Sequence, residues 1–437
     1  MENSHEGMYR MNISFITNVG NDNLDYLKLL LQSLQDNLFY KEHEILVFVD
    51  RDNEKIVDYL KNIRPNFYDL KIITHSMPSG YVGYQLNINL LVKYAKYDVI
   101  SYLQSDMVIC KDYDKIIIEE LENNCILSAT RIEPPLHPPS STTFTMDFGI
   151  RPTEFKMKEF IKYSEEVKSD KELQYFFAPF TFHRNTWDSV NGHDSLFRRS
   201  REDSDILQKF LHKGVKIKQT FKSNVYHFSC VSSRGKNWFE SYNSEAQDRN
   251  AMQSIADGIE LRKFVRKWGW FNHGEAPLTK YSIDLKIKNF DKIDYLLLFS
   301  IEHFFERIWV DSEFQKQEIL RMVNENSLAN KLIGISDEQW DEVKKFYNTT
   351  DFNYIYNVGL PEDYNCLITV DASNLDSMKA LIGFVNTNIM NTLKSTEIGA
   401  YEYEDSFILD LKKLTNISDK NLTKQNPPFD YTLLKVE

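Results

Sequence analysis

The sequence predicts a mostly parallel α/β sheet flanked by helices, followed by a smaller α+β domain. Three features lead there. In the first part of the chain, short apolar runs alternate with stretches whose leucines recur at helical spacing. Those runs are near-continuous rather than alternating, as strands covered on both faces require. Beyond Gly274 the pattern changes, and no second copy of the first part follows.

Taken in order, residues 12–17 read as a buried strand and 18–23 as a polar, glycine-containing turn. Leu24, Leu27, Leu30, Leu31 and Leu34 mark the buried stripe of a helix. Residues 44–50 read as the next strand, 54–63 as a helix, 70–75 as a strand, 85–95 as a helix and 99–103 as another buried strand. Such alternation builds βαβ units, and in such sheets ligands bind beyond the carboxyl ends of the strands. That rim collects Thr17-Asn18-Val19-Gly20, Asp50-Arg51-Asp52 and Gln104-Ser105-Asp106.

The middle is less regular. Residues 131–140 carry Pro134, Pro135, Pro138 and Pro139 and read as irregular. Residues 175–190 are rich in aromatics, and Asn191-Gly192-His193-Asp194 reads as a turn. A helix over 202–212 follows, with Ile206, Leu207, Phe210 and Leu211 as its buried stripe and Gly214 as its stop. Residues 215–217 and 225–228 read as two short strands. Further on, 302–324 reads as helical, 336–346 as a helix capped by Ser336, 367–370 as a strand and 375–393 as one long helix. The expected division is 11–275 and 280–437. The second part shows no chemistry, and oligomerisation or acceptor binding are the roles open to it.

Composition narrows the class. With 52 Lys+Arg against 64 Asp+Glu the formal charge is −12, a poor balance for displacing counterions from nucleic acid. Lys216, Lys218 and Lys222 form a local basic run, read as a solvated strand edge. Cys110, Cys125, Cys230 and Cys366 are scattered, with no CxxC pair, which suits reduced thiols in a cytoplasmic setting. The first residues hold no apolar signal core, and no run approaches the ~20 apolar residues of a membrane span. Asn-x-Ser/Thr sequons at Asn12, Asn348, Asn416 and Asn421 read as chance matches in an Asn-rich chain. Abundant Lys, Asn, Ile and Asp point to an AT-rich genome, microbial or viral.

Three residues stand out chemically, each with a bland alternative. Asp106 follows a buried strand onto the rim, and a turn aspartate would sit there too. Asp203 opens a helix beside Glu202, where the dipole favours carboxylates whatever their role. His227 ends an apolar strand, where a lone histidine can be purely structural. Trp268, Trp270 and Phe271 form an aromatic cluster that reads as core packing, with sugar stacking as the alternative.

Taken together, the segments from about 11 to 275 resemble the family 2 glycosyltransferases, whose GT-A fold is a Rossmann-like nucleotide-diphospho-sugar transferase sheet. Residues 95–106, ending Leu103-Gln104-Ser105-Asp106, look like the strand leading into that family's Asp-x-Asp. Residues 182–194 look like its run ending Gly-Gly-Phe-Asp. Arg201-Glu202-Asp203 resembles its Glu-Asp motif, and Lys267-Trp268-Gly269 resembles a run found where its catalytic domain ends. The resemblance implies Asp203 as catalytic base with Glu202 orienting the acceptor. It implies Asp106 and His227 as ligands of Mn²⁺ or Mg²⁺. Asn18, Gly20, Asp50 and Asp52 would line the nucleotide pocket, and Asn89, Gln104, Ser105 and Arg131 would meet the donor. The implied activity is inverting, metal-dependent transfer from a nucleotide-diphosphate sugar, a UDP-sugar foremost, to a hydroxyl of a glycan or glycoconjugate.

Departures from the pattern are specific. Gln104 stands where the family has its first Asp, Asn191 and His193 replace the first Gly and the Phe of Gly-Gly-Phe-Asp, and Ile88 replaces an Arg. Gln104 keeps open a second reading, a degenerate transferase acting as a binding or assembly module. A sugar nucleotidyltransferase is a third. It would carry a basic Gly-rich loop after the first strand, and Asn18-Val19-Gly20-Asn21-Asp22 is not one. Asp147-Phe148-Gly149 lacks the other kinase motifs, and no Walker A run is present.

Overall fold

The computed structural model describes residues 12–20, 23–50, 53–75, 84–136, 138–194, 197, 200–229, 260–271, 276–289, 295–329, 356–403, 405–419 and 434–437. They form two compact units. One comprises Met1–Arg198, Glu202–Ala246 and Gln425–Glu437, the other Arg199–Arg201 and Gln247–Lys424.

In the first unit β1 (Ile13–Val19), α1 (Leu24–Asn37), β2 (Glu44–Val49), α2 (Glu54–Ile63), β3 (Asp69–His75), α3 (Tyr84–Tyr94) and β4 (Val99–Tyr102) alternate as the periodicity predicts. β3, β2, β1 and β4 lie side by side and parallel. Every residue of β1 and β2 is buried, which explains their near-continuous apolar runs. Helix α1 buries Leu24, Leu27, Leu30, Leu31 and Leu34 on one face. Asn53 caps α2 by accepting from the Ile56 amide.

The amino-terminal ends of the strands are braced by buried polar groups. Glu44 takes hydrogen bonds from Ser14 Oγ at 2.5 Å and the Lys96 amide at 2.6 Å, and pairs with Lys71. His43 Nδ1 accepts from the Ile13 amide at 3.0 Å, and its Nε2 lies 2.9 Å from Asp114. With one end of the sheet locked this way, the opposite rim is where functional side chains gather.

The sheet continues through β5 (Met107–Ile109), β6 (Cys125–Glu133), β7 (Thr143–Thr145), β8 (Glu172–Leu173), β9 (Phe180–His183) and β10 (Lys216–His227), interleaved with α4 (Tyr113–Glu120), α5 (Met157–Glu166), α6 (Arg184–Asp188) and α7 (Glu202–His212). The central order is β3-β2-β1-β4-β9-β6-β10-β5, with β9 and β5 antiparallel to their neighbours.

Two local expectations change here. Arg131, Ile132 and Glu133 belong to β6, pairing with β7, and Arg131 and Ile132 also pair with β10, so the irregular run starts only at Pro134, which has no amide to offer a ladder. The two short strands expected after Gly214 are one strand, β10, with a register shift between Thr220 and Asn224. A polar bulge interrupts the sequence pattern without ending the strand. Lys218 and Lys222 turn out to be paired, with Glu120 at 3.0 and 2.7 Å, and Lys218 also with Glu172 at 2.6 Å.

The last strand, β17 (Leu434–Val436), groups with the first unit. It lies antiparallel to β3, Leu434 opposite His75 and Val436 opposite Ile73.

The second unit holds β11 (Asp284–Lys288), β12 (Arg307–Val310), β13 (Tyr356–Val358), β14 (Cys366–Asp371), β15 (Gly399–Tyr403) and β16 (Phe407–Leu411) in the order β13-β12-β11-β14-β16-β15. The first four are parallel, and β15–β16 is an antiparallel hairpin. Two helix predictions are corrected. Within 302–324, Glu302–Phe304 is a 3-10 turn and Arg307–Val310 is β12, with the helix only from Glu313. The β-branched and aromatic run Ile308-Trp309-Val310 fits a pleated, half-buried strand better than a helix. The long helix over 375–393 is two, Leu375–Asn386 and Ile389–Lys394, divided where Asn388 adopts φ 65° and caps the second by accepting from the Asn391 amide. The helix predicted over 336–346 lies outside the described residues.

Trp268 is fully buried, and Trp270 stacks on Phe271 at 4.1 Å, so the aromatic cluster packs against neighbouring rings. Cys110, Cys125 and Cys366 are buried and free. Among the described residues no helix is long and apolar enough to cross a membrane.

Candidate active site

Strand β4 ends at Tyr102, and a tight turn follows in which the Met107 amide donates to Gln104 O at 3.1 Å. The turn places Ser105 and Asp106 at the rim with both side chains buried. It is held by its neighbour, since the Phe228 amide donates to Asp106 O at 3.1 Å and β5 pairs with β10 so that His227 opposes Met107. Positions 106 and 227, far apart in sequence, thereby become adjacent. His227 Nε2 lies 3.8 Å from Asp106 Oδ1. Both side chains are at least nine-tenths buried.

Strand β6 delivers a second carboxylate and a cation to the same place. Glu133 Oε1 lies 2.7 Å from His227 Nδ1. Arg131 extends Nη1 to 3.5 Å from Glu133 and donates from Nη2 to Gln104 Oε1, also 3.5 Å. Its Nε donates to Ala178 O, and the guanidinium lies over Phe177 at 4.6 Å from the ring centroid. Residues 104, 106, 131, 133 and 227 thus form one chain of contacts. Tyr26, on α1, feels the charge of Asp106. Burial pushes its phenol up to about 12, the Asp106 charge adds to this, and its hydroxyl donates to Ile150 O at 3.2 Å. Tyr26 is therefore a neutral donor at physiological pH.

The nucleotide-side candidates sit on adjacent strand ends. Asn18 is buried and accepts from the Tyr102 hydroxyl at 3.3 Å, Gly20 follows β1, and Asp50 lies 3.0 Å from His75 Nε2. Asp52 falls outside the described residues. Asn89, expected at the donor, has a local partner: its amide exchanges hydrogen bonds with the backbone of His193. Gly192 beside it has φ 57°, and a Cβ there would collide with Asn89 Oδ1 and approach Trp187 Nε1 to 2.6 Å, so only glycine fits. Gly192 O in turn accepts from the buried Lys209 Nζ at 2.6 Å. Lys209 belongs to α7, so the Asn191–Asp194 turn ties α3 to α7. Glu202 and Asp203 stand in the first turn of α7, Asp203 exposed and Glu202 half-buried.

Of the residues singled out in the sequence, the fold joins Gln104, Asp106, Arg131 and His227 in one contact network, with Ser105 in the turn between two of them. Asn18 and Asp50 lie on neighbouring strand ends, and Glu202 and Asp203 on a separate helix. Glu133 was not singled out as a site residue, and Tyr26 was missed. The carboxylate two residues beyond Arg131 was a usable signal for Glu133. Tyr26 lies on the helix stripe, where nothing separates a functional ring from a packing one.

Residues 14–179 of this chain match the model of the family described as Glycosyl transferase family 2. The large, mostly parallel sheet flanked by helices is the GT-A architecture expected of that family. Among solved structures, the chain is similar to S. aureus TarS 1-349 in complex with UDP, at 14% identity over 79% of this chain and 89% of that one, with a TM-score of 0.36. The same protein in complex with UDP-GlcNAc is similar at 12% identity over 96% and 99%, TM-score 0.39. GalNAc-T7 with UDP, GalNAc and Mn2+ is similar at 15% identity over 59% and 54%, TM-score 0.40. No curated protein matches the sequence.

Proposed function

We propose that this protein transfers a sugar from a nucleoside-diphosphate sugar, a UDP-sugar foremost, to a hydroxyl of a glycan or glycoconjugate, with inversion at the anomeric carbon. The observation that carries the reading is the Asp106–His227 pair, 3.8 Å apart and backed by Glu133 and Arg131, at the carboxyl-terminal rim of the large sheet in a chain that matches family 2 over residues 14–179.

Asp106 and His227 suit a divalent cation, Mn²⁺ or Mg²⁺. Their separation is too long for a hydrogen bond and within the span of two donors each about 2.1 Å from a shared ion. Among the described residues no group of three His, Cys, Asp or Glu side chains is placed to hold a metal ion, so Asp106 and His227 would hold it together with oxygens of the bound diphosphate. When bound, the ion offsets the negative charge that grows on the leaving diphosphate.

The chain's own groups supply the rest. Asp203 takes the proton of the acceptor hydroxyl, whose oxygen then bonds to the anomeric carbon as the bond to the diphosphate oxygen breaks and the nucleotide leaves with that electron pair. Glu202 orients the acceptor. Arg131 presents a fixed positive charge to the diphosphate. Asn18, Gly20, Asp50 and Asp52 hold the nucleoside.

The second reading, a non-catalytic binding module, draws on Gln104, whose amide faces Arg131 instead of adding a carboxylate. Incubating the protein with UDP-, GDP- and dTDP-sugars and Mn²⁺ separates the two. Metal-stimulated release of free nucleotide from one donor class supports transfer. Saturable nucleotide binding without turnover on any donor or acceptor favours the binding module.

A further inference from the structure

We propose that Glu133 is a positioning residue that sets the tautomer of His227, so that the ring turns an unprotonated Nε2 toward Asp106 and is ready to bind a divalent cation. This rests on the glycosyltransferase reading above.

An ionised carboxylate can only accept a hydrogen bond. The 2.7 Å contact between Glu133 Oε1 and His227 Nδ1 therefore places the ring proton on Nδ1. Nε2 is left with its lone pair facing Asp106 Oδ1 across 3.8 Å. Were the proton on Nε2, that nitrogen could not ligate, and Nδ1 would meet Glu133 lone pair to lone pair. Arg131 Nη1 lies 3.5 Å from the same Glu133 oxygen, which places a cation beside the carboxylate. Glu133 and His227 sit on strands separated in sequence but adjacent in the sheet, so the backbone ladder holds the pair in register.

The arrangement also gives a role to the departure at Gln104. A second acid in the turn would crowd Asp106 with like charge. Here the second carboxylate stands behind the imidazole, where it tunes a ligand rather than being one. Outer partners of this kind alter metal affinity by roughly 10–100-fold.

Two measurements test this on the whole chain. In wild-type protein labelled with ¹⁵N-histidine, His227 resonances assigned by comparison with His227→Ala should show Nδ1 protonated and Nε2 bare. An Nε2-protonated ring overturns the proposal. Mn²⁺ binding in the presence of UDP, followed by electron paramagnetic resonance, should weaken by 10-fold or more in Glu133→Ala. In Glu133→Gln, which keeps the volume but can also donate, the tautomer should become mixed. Melting profiles confirm that each variant is folded. Wild-type Mn²⁺ affinity in both variants, with binding lost in His227→Ala, overturns the role of Glu133 and leaves the metal reading standing. If wild type binds no Mn²⁺ with UDP, the metal reading fails and so does the proposed readiness of the ring.

Discussion

Asn89 and His193 hold each other across 104 residues of sequence by two hydrogen bonds of 2.9 Å, Nδ2 donating to the His193 carbonyl and the His193 amide donating to Oδ1. One side-chain amide thus replaces a short piece of β-ladder. It fastens the turn at Asn191–Asp194 to helix α3, while Lys209 fastens the same turn to α7.

Replacing Asn89 by Ala leaves a buried amide and carbonyl without partners, a cost of about 1–3 kcal/mol. We expect a lower urea midpoint with an unchanged slope. Because the turn also positions α7, transfer should fall more than stability alone accounts for, even at temperatures where the variant is fully folded. A variant with lowered stability but wild-type kcat would confine Asn89 to architecture.

Asp203 and Asp106 should fail differently. Asp203→Asn removes a proton acceptor, so kcat should drop by roughly 10²–10⁴ while calorimetric donor affinity stays near wild type. Asp106→Ala should weaken Mn²⁺-dependent donor binding and leave metal-free binding almost unchanged. Wild-type turnover in Asp203→Asn would assign the base elsewhere, and an unaltered metal titration in Asp106→Ala would remove that ligand.

The second unit should be acid-labile through Glu302 and His303. Burial alone would raise the Glu302 carboxyl, but Arg266 and Arg262 overcome it and hold the group at about 2, below the ordinary 4.5. Its stabilisation is present above pH 4.5 and is lost as pH falls toward 2. Burial lowers His303 from 6.5 to about 3, so the fold favours the neutral ring and loses stability as pH drops from 6.5 toward 3. Denaturant midpoints should fall over both windows, and His303→Phe should flatten the upper one. Unchanged slopes between pH 6.5 and 4.5 in that variant would exclude His303 as the source.

Strand β17 covers the edge of β3, with Glu437 and Ile72 exchanging backbone hydrogen bonds at 2.9 Å in each direction. Deleting residues 434–437 should cost about 2 kcal/mol from the lost ladder and expose a free strand edge, which invites edge-to-edge association. Light scattering should then detect species larger than in the full chain. Replacing Lys61, which pairs with Glu437 at the surface, should change little, because exposed ion pairs contribute at most about 1 kcal/mol.

The linear order of residues determined the βαβ rhythm from β1 to β4, because strands covered on both faces must be apolar throughout and amphipathic helices must repeat near 3.6. It also determined which acidic and polar residues reach the carboxyl rim, since the rim is simply where each strand stops. The course of β10 was not legible, because a bulge puts polar residues inside a strand and mimics its end. The break at Asn388 was hidden for a related reason: the apolar spacing carries on across a single left-handed residue. The family resemblance had already implied that Asp106 and His227 are neighbours; only the tertiary structure decided that Glu133 stands behind the imidazole and that Asn89 serves the 191–194 turn. Those relations run between strands and helices brought together by sheet register and packing, and local periodicity carries no record of which distant segment will lie alongside.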